Sequence, residues 1–250
     1  MSVKAEKSAS QSLSQAIEDY LKAIYTLAGD QKAASTSAIA KRLKVSSAAV
    51  TAMLKRMSEA GLARYQRRRG VMLTKVGTAL ALETIRRHRL LESFFTDHLA
   101  MDWHQAHVEA ETLEHFISRE LEKLIDSKLG HPLSDPHGHP IPSTKGVVSK
   151  EPLRPLADLA AGTSAVVRRV SDEDAEHMRW WKKIGLVPGS PIQVREVGPF
   201  EGPLLLEIKG KSHHVGRKAV EGIWVAADGE QKKAVKLRKV RKAAAKVGKR

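Results

Sequence analysis

The sequence predicts an α+β protein in three parts: an N-terminal winged helix-turn-helix, a helical middle domain and a C-terminal β-barrel. Three observations predict it. Two short helical patterns joined by a tight turn lead into a hairpin pattern whose tip carries Arg67, Arg68 and Arg69. Two longer stretches of helical period then run from Val76 to about Leu129. From about Leu153 the apolar period shortens to that of strands, with Gly and Pro turns between short runs.

Residues 1–13, mostly Ser, Lys, Ala and Gln, have no apolar period and read as a mobile arm. The winged-helix domain is assigned to 14–75. Ile17, Leu21, Ile24 and Ala28 form a helical stripe that Gly29-Asp30 ends, leaving Asp19 and Lys22 on the polar side. Thr36 to Leu43 is a short helix, and Ser46 to Ala60 a second one with Ser46 as N-cap and Gly61 beyond its end. Val50, Met53, Leu54 and Met57 form the buried stripe of that second helix. Ser46, Ser47, Ala48, Ala49, Ala52 and Lys55 then lie at its start or face outward, the place of a DNA-reading helix. Leu62–Tyr65 and Val71–Thr74 make the hairpin, and a purely structural hairpin has no reason to put three arginines at its turn.

The helical domain is assigned to 76–145. Val76 to Leu99 forms one long helix, and after a break at Met101-Asp102 a second runs to about Leu129. Both carry more apolar surface than a winged helix covers, which predicts a subunit interface. On the second helix His107, Glu111, Glu114 and His115 fall within roughly a 100° arc, and His88 with Glu92 repeats the i, i+4 spacing on the first. Glutamates three apart repel, and a bound cation would turn that repulsion into attraction. Gly130 to Gly146 reads as a solvated loop and linker, a reading preferred to adventitious metal binding by the suitably spaced His131, His137 and His139, and 146–152 reads as the linker proper. In the barrel, 153–227, strands are expected at 165–167, 191–197, 204–208 and 222–225, with a helix from Glu173 to Ile184. The segment 228–250 reads as a disordered basic tail.

The formal net charge of +15 is mostly that tail: Gln231 to Arg250 holds ten Lys or Arg and no acid, which leaves only +5 for the rest. The case for nucleic acid therefore rests on the motif and not on overall basicity. There is no cysteine, so disulfides, thiolate zinc sites and cysteine nucleophiles are excluded. No stretch reads as a signal peptide or a membrane span, and a cytoplasmic protein is expected.

The order of these parts resembles the diphtheria toxin repressor family of iron- and manganese-dependent transcriptional regulators, in its long form with a C-terminal SH3-like domain. The resemblance covers roughly residues 14–226. It rests on Glu18-Asp19-Tyr20-Leu21-Lys22-Ala23-Ile24-Tyr25, the winged helix, His88-Arg89-Leu90-Leu91-Glu92, Glu111-x-x-Glu114-His115 and Ile184-Gly185-Leu186-Val187-Pro188-Gly189-Ser190. It implies a primary metal site of Asp19, Glu111, Glu114 and His115, and an ancillary site of His88, Glu92 and His107 completed by Asp174 and His177. It further implies a homodimer that binds a palindromic operator in double-stranded DNA under control of Mn²⁺ or Fe²⁺. Iron-responsive relatives place sulfur donors where Asp19 and Glu111 stand, which favours the manganese branch. Three features depart from the family: Lys22 where some manganese regulators have a second glutamate, Ala52 where the iron regulators have a glutamine, and the basic tail. Three other readings compete: a winged-helix regulator sensing an organic ligand, a metallohydrolase using the same donors although HExxH is lacking, and an autonomous interaction module in the barrel.

Overall fold

The computed structural model of the protein describes residues 3–29 and 33–227, with side chains described from residue 14 onward. The basic tail at 228–250 and Asp30 lie outside the described residues. The chain divides into two compact units. The first contains the described residues up to Ala100, with Ala106–Leu133 and Ile141–Ser149; the second contains Met101–Gln105, Ser134–Pro140 and the described residues from Lys150 on.

In the first unit α1 (Val3–Ala28) starts within the stretch expected to be an arm, not at Ser14. The reason lies in propensity, since Ala, Lys, Glu and Gln favour helix even without an apolar stripe. Ser35 caps α2 (Thr36–Leu43) and Ser46 caps α3 (Ser47–Glu59), each hydroxyl accepting from an amide three residues on. Lys44, in the left-handed region at φ 54°, ends α2 and makes the turn. Tyr20, Leu21 and Ile24 of α1 pack with Ile39 of α2 and with Val50, Leu54 and Met57 of α3. Met53, expected in the buried stripe, is only partly buried.

The wing is the antiparallel pair β1 (Ala63–Gln66) and β2 (Gly70–Leu73). Ala34 extends it, accepting from Val71 N at 3.0 Å and donating to Val71 O at 2.9 Å. Gly70 is required here, because at φ +91° a Cβ would lie 2.5 Å from the Ala34 carbonyl oxygen.

Thr74 caps the long helix α4 (Lys75–Leu99). The second long helix is not continuous. It divides into α5 (Trp103–Leu113) and α6 (Arg119–Lys128), because Ser118 accepts from Leu121 N and starts a new helix there. Glu114 and His115 therefore stand just past the end of α5. The buried Arg86 of α4 holds this region together, donating to Glu122 of α6 at 2.7 Å and to the Pro142 carbonyl at 2.8 Å.

The second unit is built on a six-stranded antiparallel sheet. Its strands are β3 (Arg154–Pro155), β4 (Ser164–Val170), β5 (Pro191–Val197), β6 (Leu204–Ile208), β7 (Lys211–Val215) and β8 (Ile223–Ala227), in the order β3-β8-β4-β5-β6-β7. Register shifts at Val167/Arg169 and Val194/Glu196 bend the strands round a core of Val167, Val194, Leu206 and Trp181. Trp181 comes from α7 (Ala175–Ile184), which starts at Ala175 because Asp174 is its N-cap. Strand β7 was not expected, since Lys211-Ser212-His213-His214 has no apolar alternation to announce it. Among the described residues no helix is long and apolar enough to cross a membrane.

Candidate metal centre and nucleic-acid interface

The polar face of α1 meets the end of α5. His115 Nδ1 donates to Glu18 Oε2 at 2.7 Å, and its Nε2 lies 3.1 Å from Asp19 Oδ1 and 3.7 Å from Glu114 Oε1. Asp19, Glu114 and His115 thus bring three donor atoms within 4.8 Å of one another. The Glu18 contact fixes the ring, leaving Nε2 as the nitrogen that faces the carboxylates. Glu18 had escaped sequence reasoning. It stands one residue before Asp19, but nothing local ties it to a histidine 97 positions away.

Glu111 joins a second group. Its Oε1 accepts from Lys22 Nζ at 2.8 Å and lies 3.9 Å from His88 Nδ1, so its donor atom falls with those of His88 and Glu114. Glu114 is fully buried and belongs to both groups: Oε1 accepts from Lys22 Nζ at 2.7 Å, and Oε2 accepts from His88 Nδ1 at 2.5 Å. The third group, His88, Glu92 and His107, is assembled by Glu92 Oε1, which lies 3.1 Å from His88 Nε2 and 2.8 Å from His107 Nδ1. All the first-unit ligands that the resemblance implies therefore sit in one continuous cluster, with His88 joining its two halves.

The excess of carboxylates sets the protonation. Burial pulls the His115 imidazole down, but its hydrogen bonds to Asp19 and Glu18 and the charge of Glu114 outweigh it and push the pKa up to about 9. Burial likewise lowers His88, and the Glu92 charge with the Glu114 contact raises it to about 10. Burial would raise Glu111, yet the Lys22 ammonium beside it holds its carboxyl below the usual range.

Asp174 and His177 lie on the second unit. Asp174 Oδ1 caps α7 by accepting from the amides of Glu176 and His177, while its Oδ2 pairs with His177 Nδ1 at 3.1 Å. A different donor set in that unit had been read as a solvated loop. His137 is fully buried, and Asp135, His137 and His139 converge within 4.8 Å. The loop folds onto itself because the amides of His137 and His139 both donate to Asp135 Oδ1 at 2.9 Å. It docks on β4 through Val170 N donating to His137 O, and Gly138 allows the approach, since a Cβ there would sit 1.9 Å from Arg168 O. The available signal was three donors in five residues around that glycine. His131, by contrast, is exposed and pairs with Asp126.

Ser46, Ser47, Ala48, Ala49, Ala52 and Lys55, the residues expected to read DNA, are all exposed along the start and outer face of α3. Arg67, Arg68 and Arg69 form the exposed tip between β1 and β2, with Arg68 at φ 69°.

Residues 12–71 match the family model described as iron dependent repressor, N-terminal DNA binding domain; residues 74–143 match iron dependent repressor, metal binding and dimerisation domain. The iron-dependent repressor IdeR of Mycobacterium tuberculosis is 33% identical over 189 residues, covering 71% of this chain and 82% of the relative. This chain belongs to the iron-dependent repressor family.

Residues 154–227 match the FeoA domain, which accounts for the β-rich unit as the SH3-like module of the long family form. The diphtheria toxin repressor of Corynebacterium efficiens is 29% identical over 82% of this chain and 96% of the relative. Among solved structures, one titled manganese-dependent transcriptional repressor complex with manganese superposes with a TM-score of 0.79 at 37% identity, covering 84% of this chain and 99% of that one. The manganese regulator SloR superposes at 0.70 with 31% identity, covering 85% and 98%. As a member of the iron-dependent repressor family the chain is a metal-dependent, DNA-binding transcriptional repressor of the manganese or iron type, not an enzyme. The organic-ligand and metallohydrolase readings are set aside accordingly.

The protonation pattern has a measurable consequence. Both imidazoles are raised above their ordinary value of about 6.5, so the stability they contribute is complete below that pH and is lost as pH rises through about 9 and 10. Chelator-treated protein is expected to melt at lower temperature at pH 9.5 than at pH 6.5. His115→Gln should flatten part of that decline; an identical decline in the variant would remove His115 as a source.

Proposed function

We infer that the chain represses metal-homeostasis genes as a homodimer on a palindromic operator, with Mn²⁺ as its effector and Fe²⁺ as the alternative ion. The observation that carries this reading is the meeting of Asp19 on α1 with Glu114 and His115 just past α5. The residues present suit such an ion: carboxylate oxygens and one imidazole are a hard donor set, and one of the carboxylates is fully buried. When bound, the ion supplies positive charge shared between two helices. Asp19 would be its ligand from α1, and Glu114 and His115 its ligands from the other side; Glu111, which the resemblance adds to this set, is held by Lys22 in the neighbouring donor group. His88, Glu92 and His107 would form the ancillary site, to which the resemblance adds Asp174 and His177. Asp135, His137 and His139, the first two buried, are a further candidate within the second unit.

Residues of α1 then transmit the state of the site. Tyr20, Leu21 and Ile24 pack against the core of α2 and α3, one helical face away from Asp19 and Glu18. Fixing α1 therefore fixes the recognition helix. Two such helices must be held about one turn of DNA apart to enter successive major grooves, and ordering them in advance lowers the cost of binding. The dimer partner would cover exposed apolar side chains of the helical domain, among them Val108, Phe116, Leu121 and Leu124.

Operator binding by the full chain, measured by fluorescence anisotropy, should vanish after dialysis against a chelator and return with Mn²⁺. His115→Ala should remain folded and lose that return. A variant still activated by metal would refute the site assignment.

The choice of ion should show in the response and not in affinity, because Zn²⁺ binds such donors more tightly than Mn²⁺. An ion satisfied by four ligands can leave Asp19 unengaged. Mn²⁺ is therefore expected to activate operator binding more fully at saturation than Zn²⁺, although Zn²⁺ binds at lower concentration; equal plateaus would contradict the geometric argument.

The wing is expected to act on the phosphate backbone. Arg68→Ala should weaken binding to all DNA sequences and reduce the slope of log K against log salt by about one. An unchanged slope would take the wing out of the interface.

A further inference from the structure

Two donor groups share the buried Glu114 carboxylate: Asp19, Glu114 and His115 on one side, and His88, Glu111 and Glu114 on the other. The second group already has a positive centre. Lys22 Nζ lies 2.8 Å from Glu111 Oε1 and 2.7 Å from Glu114 Oε1, with its side chain only 12% exposed. We propose that the Lys22 ammonium is a tethered cation occupying the second of two cation positions in this cluster, so that α1 and the Glu111–His115 stretch are bridged by one divalent ion instead of two.

The geometry and the charge both support this. An ammonium is a compact, strongly hydrated point charge with three donors, and here two of its donor directions go to the two carboxylates that a divalent ion would use. Glu111 and Glu114 are three residues apart and repel, and the fully buried Glu114 carboxylate is not tolerated without compensation. Lys22 supplies that compensation permanently. A lysine amine is ordinarily protonated across the physiological range, and two carboxylate oxygens within 2.8 Å favour its charged form. A charged lysine donates and cannot ligate; it repels a metal ion from the His88–Glu111–Glu114 group, while Glu114 Oε1 still lies 3.7 Å from His115 Nε2 on the other side.

Removing the charge should open the position. Without Lys22 the neighbouring donors His88, Glu111 and Glu114 keep their convergence but lose their cation, and a divalent ion is the replacement that matches their chemistry. A purely structural salt bridge behaves differently. Its loss would lower stability and leave the metal count unchanged.

This inference rests on the metal reading of Asp19, Glu114 and His115, and the experiment separates the two. Mn²⁺ bound per chain is counted by equilibrium dialysis of the full chain for the unmodified protein, Lys22→Gln, Lys22→Met and His115→Ala. The fall in count on His115→Ala tests the earlier reading; the increment on Lys22→Gln or Lys22→Met tests this one. Each Lys22 variant is expected to bind one more Mn²⁺ than the unmodified chain, and Lys22→Arg, which restores a cation, to return the count to the unmodified level. A Lys22→Gln or Lys22→Met protein that melts cooperatively with the original count would overturn the proposal. Electron paramagnetic resonance of the unmodified, Mn²⁺-saturated protein gives a test that needs no variant to fold. Magnetically isolated ions are expected, and a spin-coupled pair would overturn the proposal on its own.

Discussion

The constraint on which the first unit depends is an excess of carboxylate at one place. Glu18, Asp19, Glu92, Glu111 and Glu114 come together from α1, α4 and the α5 region, and Glu92 and Glu114 are fully buried. Buried anions need positive charge within a few ångströms. In this structure Lys22, His88 and His115 provide it, the two histidines because the carboxylates hold their protons well above the ordinary range. In the proposed reading the cluster is poised between two kinds of counter-charge, protons already on imidazoles and a divalent ion that would replace them. The chemistry that makes the cluster costly is what makes it responsive.

In the proposed reading the response reaches DNA because α1 has two occupied faces. One carries Glu18, Asp19 and Lys22 toward the donors past α5; the other buries Tyr20, Leu21 and Ile24 against α2 and α3. A helix packed that tightly moves as a body, since close-packed interiors transmit displacement instead of absorbing it. The break after Leu113 contributes as well. By ending α5 there, the chain leaves Glu114 and His115 in the turn before the Ser118 cap, where Glu114 points inward to Lys22 and His88 while His115 reaches Glu18 and Asp19.

The parts of the molecule with local causes were legible in the sequence. The cap Ser46, the turn at Lys44, the hairpin with three arginines and strands such as Pro191–Val197 each follow from neighbours in the chain. What was not legible depends on distant partners. Asp19 reads on its own helix as a surface acid and acquired a role only through the family resemblance, while Glu18 went unnoticed because His115 is 97 residues away. Asp135, His137 and His139 were taken for a solvated loop because Pro and Gly around them signal a turn, and no local feature announces that Gly138 lets the turn sink against β4. Strand β7 failed for the opposite reason, since its polar side chains conceal a backbone paired along the whole of β6.

The composition of α3 explains why control should act on geometry and not on base contacts. Ala48, Ala49 and Ala52 face outward, and alanine offers at most a methyl contact to thymine, with no bidentate hydrogen bond to any base. Affinity at one half-site must then come largely from phosphate contacts of Lys55 and the wing arginines, supplemented by DNA shape. Contacts of that kind are individually weak and salt-sensitive, so a single subunit would discriminate poorly. In the proposed dimer the two half-sites reinforce one another only when both recognition helices are held at the matching separation. A cation that does no more than hold α1 in place can therefore decide between occupied and vacant operator, without touching DNA and without altering a single base contact.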